Sequence, residues 1–389
     1  MNFARCFATS LCFTAAVTAL PGCSSKSSTA ATGDASTPAT SSTPGFDASA
    51  VAELKAKHVD KYVGKASLDK TSANAVGDTV YNFDPSEGPI CYLGASYNVV
   101  VHDAGSENLL IFLQGGGACW QTLCSATSTA ETTIPKTGIL SEDPSTNVVG
   151  DWNVVYAPYC DGSVFSGDND TKSNMDGTAW HFHGLANLSA AIDVAKKAYP
   201  NPKRILLAGT SGGGYGTLIG TGLVRLAYPH TQVDVFNDAG LGLSNPNDPA
   251  MLSTIKADWK FDQFIPDSCT ECQTGEQTAI IGWGLAADPT LRVSGFSSYG
   301  DAIIGGYFLK LMPADFKPLL LGETGKVHDA YPTRFERFFI DGTQHTVLLS
   351  GTGVTYTTDV NGISVEEWTR KMLAGDKGWV DQLQTGDGG

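Results

Sequence analysis

An α/β fold, a mostly parallel sheet with helices on both faces, is the class that this 389-residue sequence predicts, and three observations predict it. Apolar runs of strand length alternate with segments of helical periodicity, as they do where parallel strands are joined by crossover helices. The run at residues 205–208 is continuously apolar, as a strand buried on both faces must be. Directly after it, Gly209-Thr210-Ser211-Gly212-Gly213 leads into a helical segment carrying Leu218, Ile219, Leu223 and Leu226. Strand, sharp turn and helix with G-x-S-x-G at the turn make a nucleophile elbow, the signature of the α/β-hydrolase fold. The glycines let the chain turn without a side-chain clash. Ser211 is left at a helix N-terminus, whose dipole favours negative charge.

In chain order, residues 1–22 are expected to be an export signal. Arg5 precedes an apolar stretch at residues 12–20 that is too short to span a bilayer. Leu20-Pro21-Gly22-Cys23 resembles the bacterial lipoprotein box, so Cys23 is expected to carry lipid and hold the chain on the cell envelope of a bacterium, at the outer membrane or cell surface. Residues 23–50 are almost all Ser, Thr, Ala, Gly and Pro; such a segment cannot bury a core and is expected to be a disordered tether. Residues 51–389 are expected to form one hydrolase domain, monomeric, with no repeat or second boundary.

Within that domain, residues 51–70 read as a polar helix. Residues 97–102 and 109–114 read as two strands joined by the polar turn 103–108, a hairpin. The second strand closes on Gly115-Gly116-Gly117-Ala118-Cys119-Trp120. Residues 152–158 are a further strand, and residues 184–199 carry Leu185, Leu188, Ile192 and Ala195 at helical spacing up to Pro200. After the elbow come strands at 233–237, 291–299 and 334–340, a helical insertion at 252–277 and a closing helix at 364–374.

The formal net charge is −15, with no basic stripe, which argues against nucleic acid as a partner. Of nine cysteines, six remain after Cys6, Cys12 and Cys23 are set aside, an even number in an exported chain. Connectivity does not follow from spacing alone; the expected pairs are Cys91–Cys160, Cys119–Cys124 and Cys269–Cys272. His181-Phe182-His183 has metal-binding residue types, but no acidic or cysteine partner stands at a matching spacing, so neither metal nor cofactor is expected.

A serine hydroxyl needs a base to take its proton, and on this fold the partners follow in the order Ser, acid, His. Three histidines follow Ser211. His230 ends the elbow helix, His328 reads as part of a polar loop, and His345 follows the last long strand, where the base belongs. Asp301 and Asp238 both end strands and both could orient the histidine; Asp301 is preferred. Gly212 offers its N–H to an oxyanion, and the glycine loop at 115–118 occupies the place of the second donor. Trp120, Trp152, Trp180 and Phe165 are candidates for lining a pocket.

The runs Leu113-Gln114-Gly115-Gly116-Gly117-Ala118-Cys119, Trp152-Asn153-Val154-Val155-Tyr156-Ala157-Pro158-Tyr159-Cys160-Asp161-Gly162 and Gly209 to Gly214 resemble the pectin acetylesterase/Notum family of carboxylesterases. The resemblance covers about Cys91 to His345, and residues 182–187 are similar to the family's segment before the elbow. It implies Ser211, Asp301 and His345 as a catalytic triad, with Gly117, Ala118 and Gly212 as the oxyanion hole. It also implies hydrolysis of O-acyl esters, acetyl above all, on a carbohydrate or a small ester. The sequence departs from the family at Ala118, where the family has tryptophan. The alternatives are a lipase or polyester depolymerase, and a tethered binding module without catalysis.

Overall fold

The computed structural model describes residues 43–349 and 355–385. The expected signal, the lipidation site Cys23 and the tether up to residue 42 lie outside them. A ten-stranded sheet forms the centre. Its strands are β1 (Leu68–Ala73), β2 (Thr79–Phe83), β3 (Asn98–His102), β4 (Asn108–Leu113), β5 (Asn153–Ala157), β6 (Arg204–Thr210), β7 (Gln232–Asp238), β8 (Arg292–Ser298), β9 (Phe335–Ile340) and β10 (Gln382–Leu383). They lie in the order β1-β2-β3-β5-β4-β6-β7-β8-β9-β10. From β5 to β10 every neighbouring pair is parallel, while β1, β2 and β3 are antiparallel.

Alternation along the strands divides the core into two layers. Leu109, Ile111, Leu113, Ile205 and Leu207 face one layer; Leu110, Phe112, Leu206 and Ala208 face the other. Helices α2 (Gly184–Ala198) and α3 (Gly212–Ala227) bury Leu185, Leu188, Ile192, Leu223 and Val224 in the first. The late helix α8 (Val365–Ala374) buries Trp368 and Met372 in the second. Each fully buried apolar side chain of this size contributes about 1.5–3 kcal/mol, so a sheet covered on both faces is the stable arrangement for strands this apolar.

Four expectations need correction. The strands β3 and β4 do not form a hairpin: β5 lies between them, antiparallel to β3 and parallel to β4. The polar segment between them is instead pinned to the start of β5, where Asn153 Oδ1 accepts from Ala104 N and Ser106 N and Asn153 Nδ2 donates to Ser106 O. The tether does not reach residue 50, and the helix expected at 51–70 begins earlier and is short. It is α1 (Ala48–Ala56), capped by Asp47 Oδ1, which accepts from Ser49 N and Ala50 N at 2.8 and 2.9 Å. The insertion holds α4 (Pro249–Trp259) and the short α5 (Thr270–Thr274), and helical structure resumes in α6 (Ala279–Ala287). The loop expected around His328 is the last turn of α7 (Pro313–Ala330). The three disulfides are Cys91–Cys160, Cys119–Cys124 and Cys269–Cys272, the pairing expected.

Candidate active site

Four parallel strands, β6 to β9, end at one edge, and each delivers a polar residue there. After β6 the chain turns sharply at Ser211, whose φ of 53° and ψ of −119° lie outside the ordinary regions for an L-residue. Close packing holds this turn. A Cβ on Gly115 would fall 2.5 Å from Thr210 O and 2.8 Å from Ser211 Cβ, and one on Gly213 would fall 2.0 Å from Leu113 O. A Cβ on Gly209 would fall 2.1 Å from Gly213 O, so glycine is required on both sides of the serine and in the loop that faces it. Strained conformations of this kind cost about 1–3 kcal/mol each and persist only where surrounding structure enforces them. Ala239 and Thr346, each just past a residue of the site, also have positive φ, 61° and 65°.

After β8, Asp301 is 1% exposed. Its Oδ1 accepts from Ile303 N and Ile304 N at 2.9 and 2.8 Å, capping a π-helical turn, Ala302–Phe308. Its Oδ2 accepts from His345 Nδ1 at 2.8 Å. The carboxylate therefore fixes the imidazole tautomer with Nε2 bare, and Nε2 is buried without a hydrogen-bond partner. No hydrogen bond joins His345 Nε2 to Ser211 Oγ among the described residues. Such bonds are often long in resting hydrolases and tighten on substrate.

Asp238 ends β7 and does not bond the imidazole. Its carbonyl accepts from Ser211 N at 2.8 Å. Its Oδ2 accepts from Val347 N and Leu348 N, both at 2.9 Å. One residue thus ties the serine turn to the histidine loop. Burial pushes its carboxyl up to about 7, against the backbone donors and His345, which favour the ionised form. Asn237, beside it, was not marked by the sequence. Its Nδ2 donates to Gly214 O and Gly240 O, each at 2.9 Å, locking the first turn of α3 onto β7. It stands among other polar residues of the same strand, Asp234 and Asp238, so nothing in the sequence singles it out.

Gly117 has a φ of 86° and opens a short hairpin, Gly117–Trp120 with Leu123–Ala126, closed by Cys119–Cys124. A Cβ on Gly212 would stand 3.1 Å from Gly117 O, so the glycine loop and the first residue of α3 touch. Gly117, Ala118, Ser211 and Gly212 all line one cavity of about 180 Å³. The remaining wall is almost wholly apolar and includes Trp120, Leu218, Ile255 and Phe308. Of the four candidate aromatics Trp120 lines it, packed against Trp259 and Phe308 at 6.4 and 6.0 Å between ring centroids. Trp152 lies in the second core layer; Trp180 packs on Phe182, and Phe165 on Tyr159. His230 is exposed beyond α3, and His328 Nδ1 donates to Phe335 O at 2.8 Å, remote from the edge in sequence and bonding alike. His181 and His183 do have an acidic neighbour: Asp170, across a hairpin, contacts both rings.

Compared with known proteins, residues 71–276 match the family model described as Pectinacetylesterase, more than half of the chain. The chain is 30% identical over 233 residues to "Pectin acetylesterase 4" of Arabidopsis thaliana, covering 51% of this chain and 56% of the relative. It is 31% identical over 219 residues to "Palmitoleoyl-protein carboxylesterase NOTUM" of Homo sapiens, covering 48% and 43%. It is 31% identical over 201 residues to "Palmitoleoyl-protein carboxylesterase notum1'" of Xenopus laevis, covering 46% and 37%. The chain spans about half the length, or less, of the curated relatives it matches.

Proposed function

This chain belongs to the pectinacetylesterase family, and from that premise we propose that it is a serine carboxylesterase acting on O-acyl esters of a carbohydrate or a small alcohol. The observation that carries the proposal is the hydrogen bond from His345 Nδ1 to Asp301, which leaves Nε2 bare at the strand edge that bears the strained Ser211. In the first step Ser211 Oγ attacks the ester carbonyl carbon while its proton passes to His345 Nε2. Asp301 stabilises the imidazolium that results. The carbonyl oxygen becomes an oxyanion facing the N–H groups of Gly212 and of Gly117 or Ala118, and one such donor is worth about 3 kcal/mol. The C–O bond to the alcohol breaks, His345 returns the proton to the leaving oxygen, and an acyl-serine remains. Water, deprotonated by His345, then releases the acid and restores the serine.

Acetyl was the acyl group expected, and the cavity favours a larger one. A dry cavity of about 150 Å³ holds benzene, and this one measures about 180 Å³ with almost no polar wall. An acyl chain of roughly six to eight carbons fits that space far better than two carbons do. A series of p-nitrophenyl esters from acetate to decanoate reads the preference directly. The large-acyl reading expects kcat/KM to rise beyond acetate in the wild type, and Ile255→Trp, which fills the cavity, to remove the rise while sparing acetate. A maximum at acetate in both proteins restores the acetylesterase reading. For the chemistry itself, Ser211→Ala should lose about 10⁵–10⁶-fold in kcat and all labelling by a fluorophosphonate probe. Undiminished turnover in that variant would refute Ser211 as the nucleophile, and absence of both turnover and labelling in the wild type would leave only the tethered binding module.

We further propose that Cys23 carries a lipid anchor and that residues 24–42 hold the enzyme off the membrane as a monomer. Among the described residues no helix is long and apolar enough to cross a membrane. Cys23→Ala should move the protein from the membrane fraction to the soluble one; unchanged partition would exclude the anchor.

A further inference from the structure

A hairpin ahead of the elbow, none of whose residues lines the cavity, brings together three donors that the ester chemistry does not use. Its strands, Asn169–Lys172 and Ala179–Phe182, pair antiparallel with Asp170 directly opposite His181. His181 and His183 are two residues apart, so in an extended chain both side chains leave the same face. Asp170 Oδ1 lies 2.7 Å from His181 Nδ1 and 3.0 Å from His183 Nε2. The second nitrogen of His183, Nδ1, lies 2.7 Å from Gly88 O.

The proton count of His183 decides what this cluster can hold. A carbonyl only accepts, so Nδ1 must carry the proton that bonds Gly88 O. Nε2 of the neutral ring is then a lone pair aimed at a carboxylate oxygen. Two acceptors 3.0 Å apart repel unless a positive centre lies between them, and that centre is either a second ring proton or a metal ion. A backbone carbonyl that fixes Nδ1–H and leaves Nε2 free is the usual support of a metal-bound histidine. We infer that Asp170, His181 and His183 form a binding site for a divalent transition-metal ion, with Zn²⁺ as its probe.

The donor set and its surroundings fit such an ion. Two imidazoles and a carboxylate leave a fourth position for water, and all three residues reach the surface, Asp170 being 65% exposed. The three donor atoms lie within 4.8 Å of one another. Bonds of about 2.1 Å set tetrahedral donors roughly 3.4 Å apart, so Asp170 Oδ1 need retreat by less than about 1 Å. Two other three-residue clusters, each of one histidine and two carboxylates, already contain a cation. Lys136 pairs with Asp78 beside His102 and Glu142, and Arg337 pairs with Asp381 beside His328 and Glu336. Among the described residues no lysine or arginine pairs with Asp170. The ion would clip the hairpin to the segment around Gly88, which Asn187 also holds through Ile90 N and Ile90 O.

The test is calorimetric titration of the chelator-treated full chain with Zn²⁺, with metal content measured after dialysis. One ion per chain is expected. His183→Ala and Asp170→Asn should each weaken binding at least about 100-fold, beyond the range seen for supporting residues alone. His181→Ala, which leaves the His183–Gly88 bond intact, should do the same, so misfolding at the Gly88 contact cannot account for the loss. Saturating Zn²⁺ should raise the Tm of the wild type by a few degrees and leave these variants unmoved. Absence of uptake by the wild type overturns the site. So does uptake that survives loss of both histidines, or that His328→Ala abolishes.

Discussion

Asp238→Asn isolates one buried carboxyl whose cost can be worked from its surroundings. Burial raises this group from an ordinary 3.8 to about 7. A group whose folded pKa is raised holds its proton more tightly folded than unfolded. Below about pH 4 both states are protonated and nothing is lost; between pH 4 and 7 the unfolded chain ionises first and stability falls. Above pH 7 both are ionised and the full cost, about 4 kcal/mol, has been reached. Between pH 5 and pH 8 the part lost is about 2.5 kcal/mol. In the asparagine variant the amide oxygen still accepts from Val347 N and Leu348 N, and the amide nitrogen replaces Oδ1, which has no partner. Urea unfolding of both proteins at the two pH values gives four stabilities, and groups common to both proteins cancel in the difference. The variant is expected to gain about 2.5 kcal/mol on the wild type between pH 5 and pH 8. A gap that stays constant within error means that Asp238 is ionised throughout, and the argument from burial fails. The same variant separates bracing from catalysis. Asp238→Asn should keep most of kcat, whereas Asp301→Asn sets an amide against His345 Nδ1 and should lose about 10⁴-fold, as the equivalent change does in a serine protease.

Other outcomes follow from the same geometry. Gly115→Ala forces a Cβ against Thr210 O and Ser211 Cβ; it should cost about 1–3 kcal/mol of stability and about 100-fold in kcat/KM through displacement of the serine, and unaltered kinetics would show that the turn has slack. Replacing both Cys91 and Cys160 with alanine opens a loop with a sequence separation of 69, so guanidinium unfolding should show a loss of about 4 kcal/mol; a loss below 1 kcal/mol contradicts it. Arg225→Met strands Asp288, whose side chain is fully buried as the arginine's partner; the expected cost is about 3–5 kcal/mol, partly regained in the double variant with Asp288→Asn.

What could be read in advance was what leaves a local imprint. β4 and β6 are apolar because both faces are covered, and Ser211 sits in a motif whose glycines the packing requires. Asp301 and His345 were approachable because parallel strands end together, so residues just past strand ends converge. The strand β1 was not legible, since all six of its residues are exposed and no alternation marks it. α7 was missed because Pro318 lies inside it and its apolar face is weak. The false hairpin arose from reading pairing off adjacency, when Asn153 redirects the connection across β5. Asp170 escaped notice for a related reason: it meets His181 across a hairpin, eleven residues away, at a spacing no short pattern encodes.

The helix at the front of the domain also shapes the cavity beside Ser211. Phe46, Leu54 and Val59 belong to the first of the described residues, yet they close one side of the chamber beside Ser211, and Phe46 leans edge-on against Trp283 at 5.4 Å. A recombinant version that begins at residue 43 would keep that side. One trimmed to residue 60 would expose the chamber to water while leaving Ser211, Asp301 and His345 in place. On the proposed esterase reading, the boundary chosen upstream of the first strand therefore belongs among the determinants of which esters are cleaved.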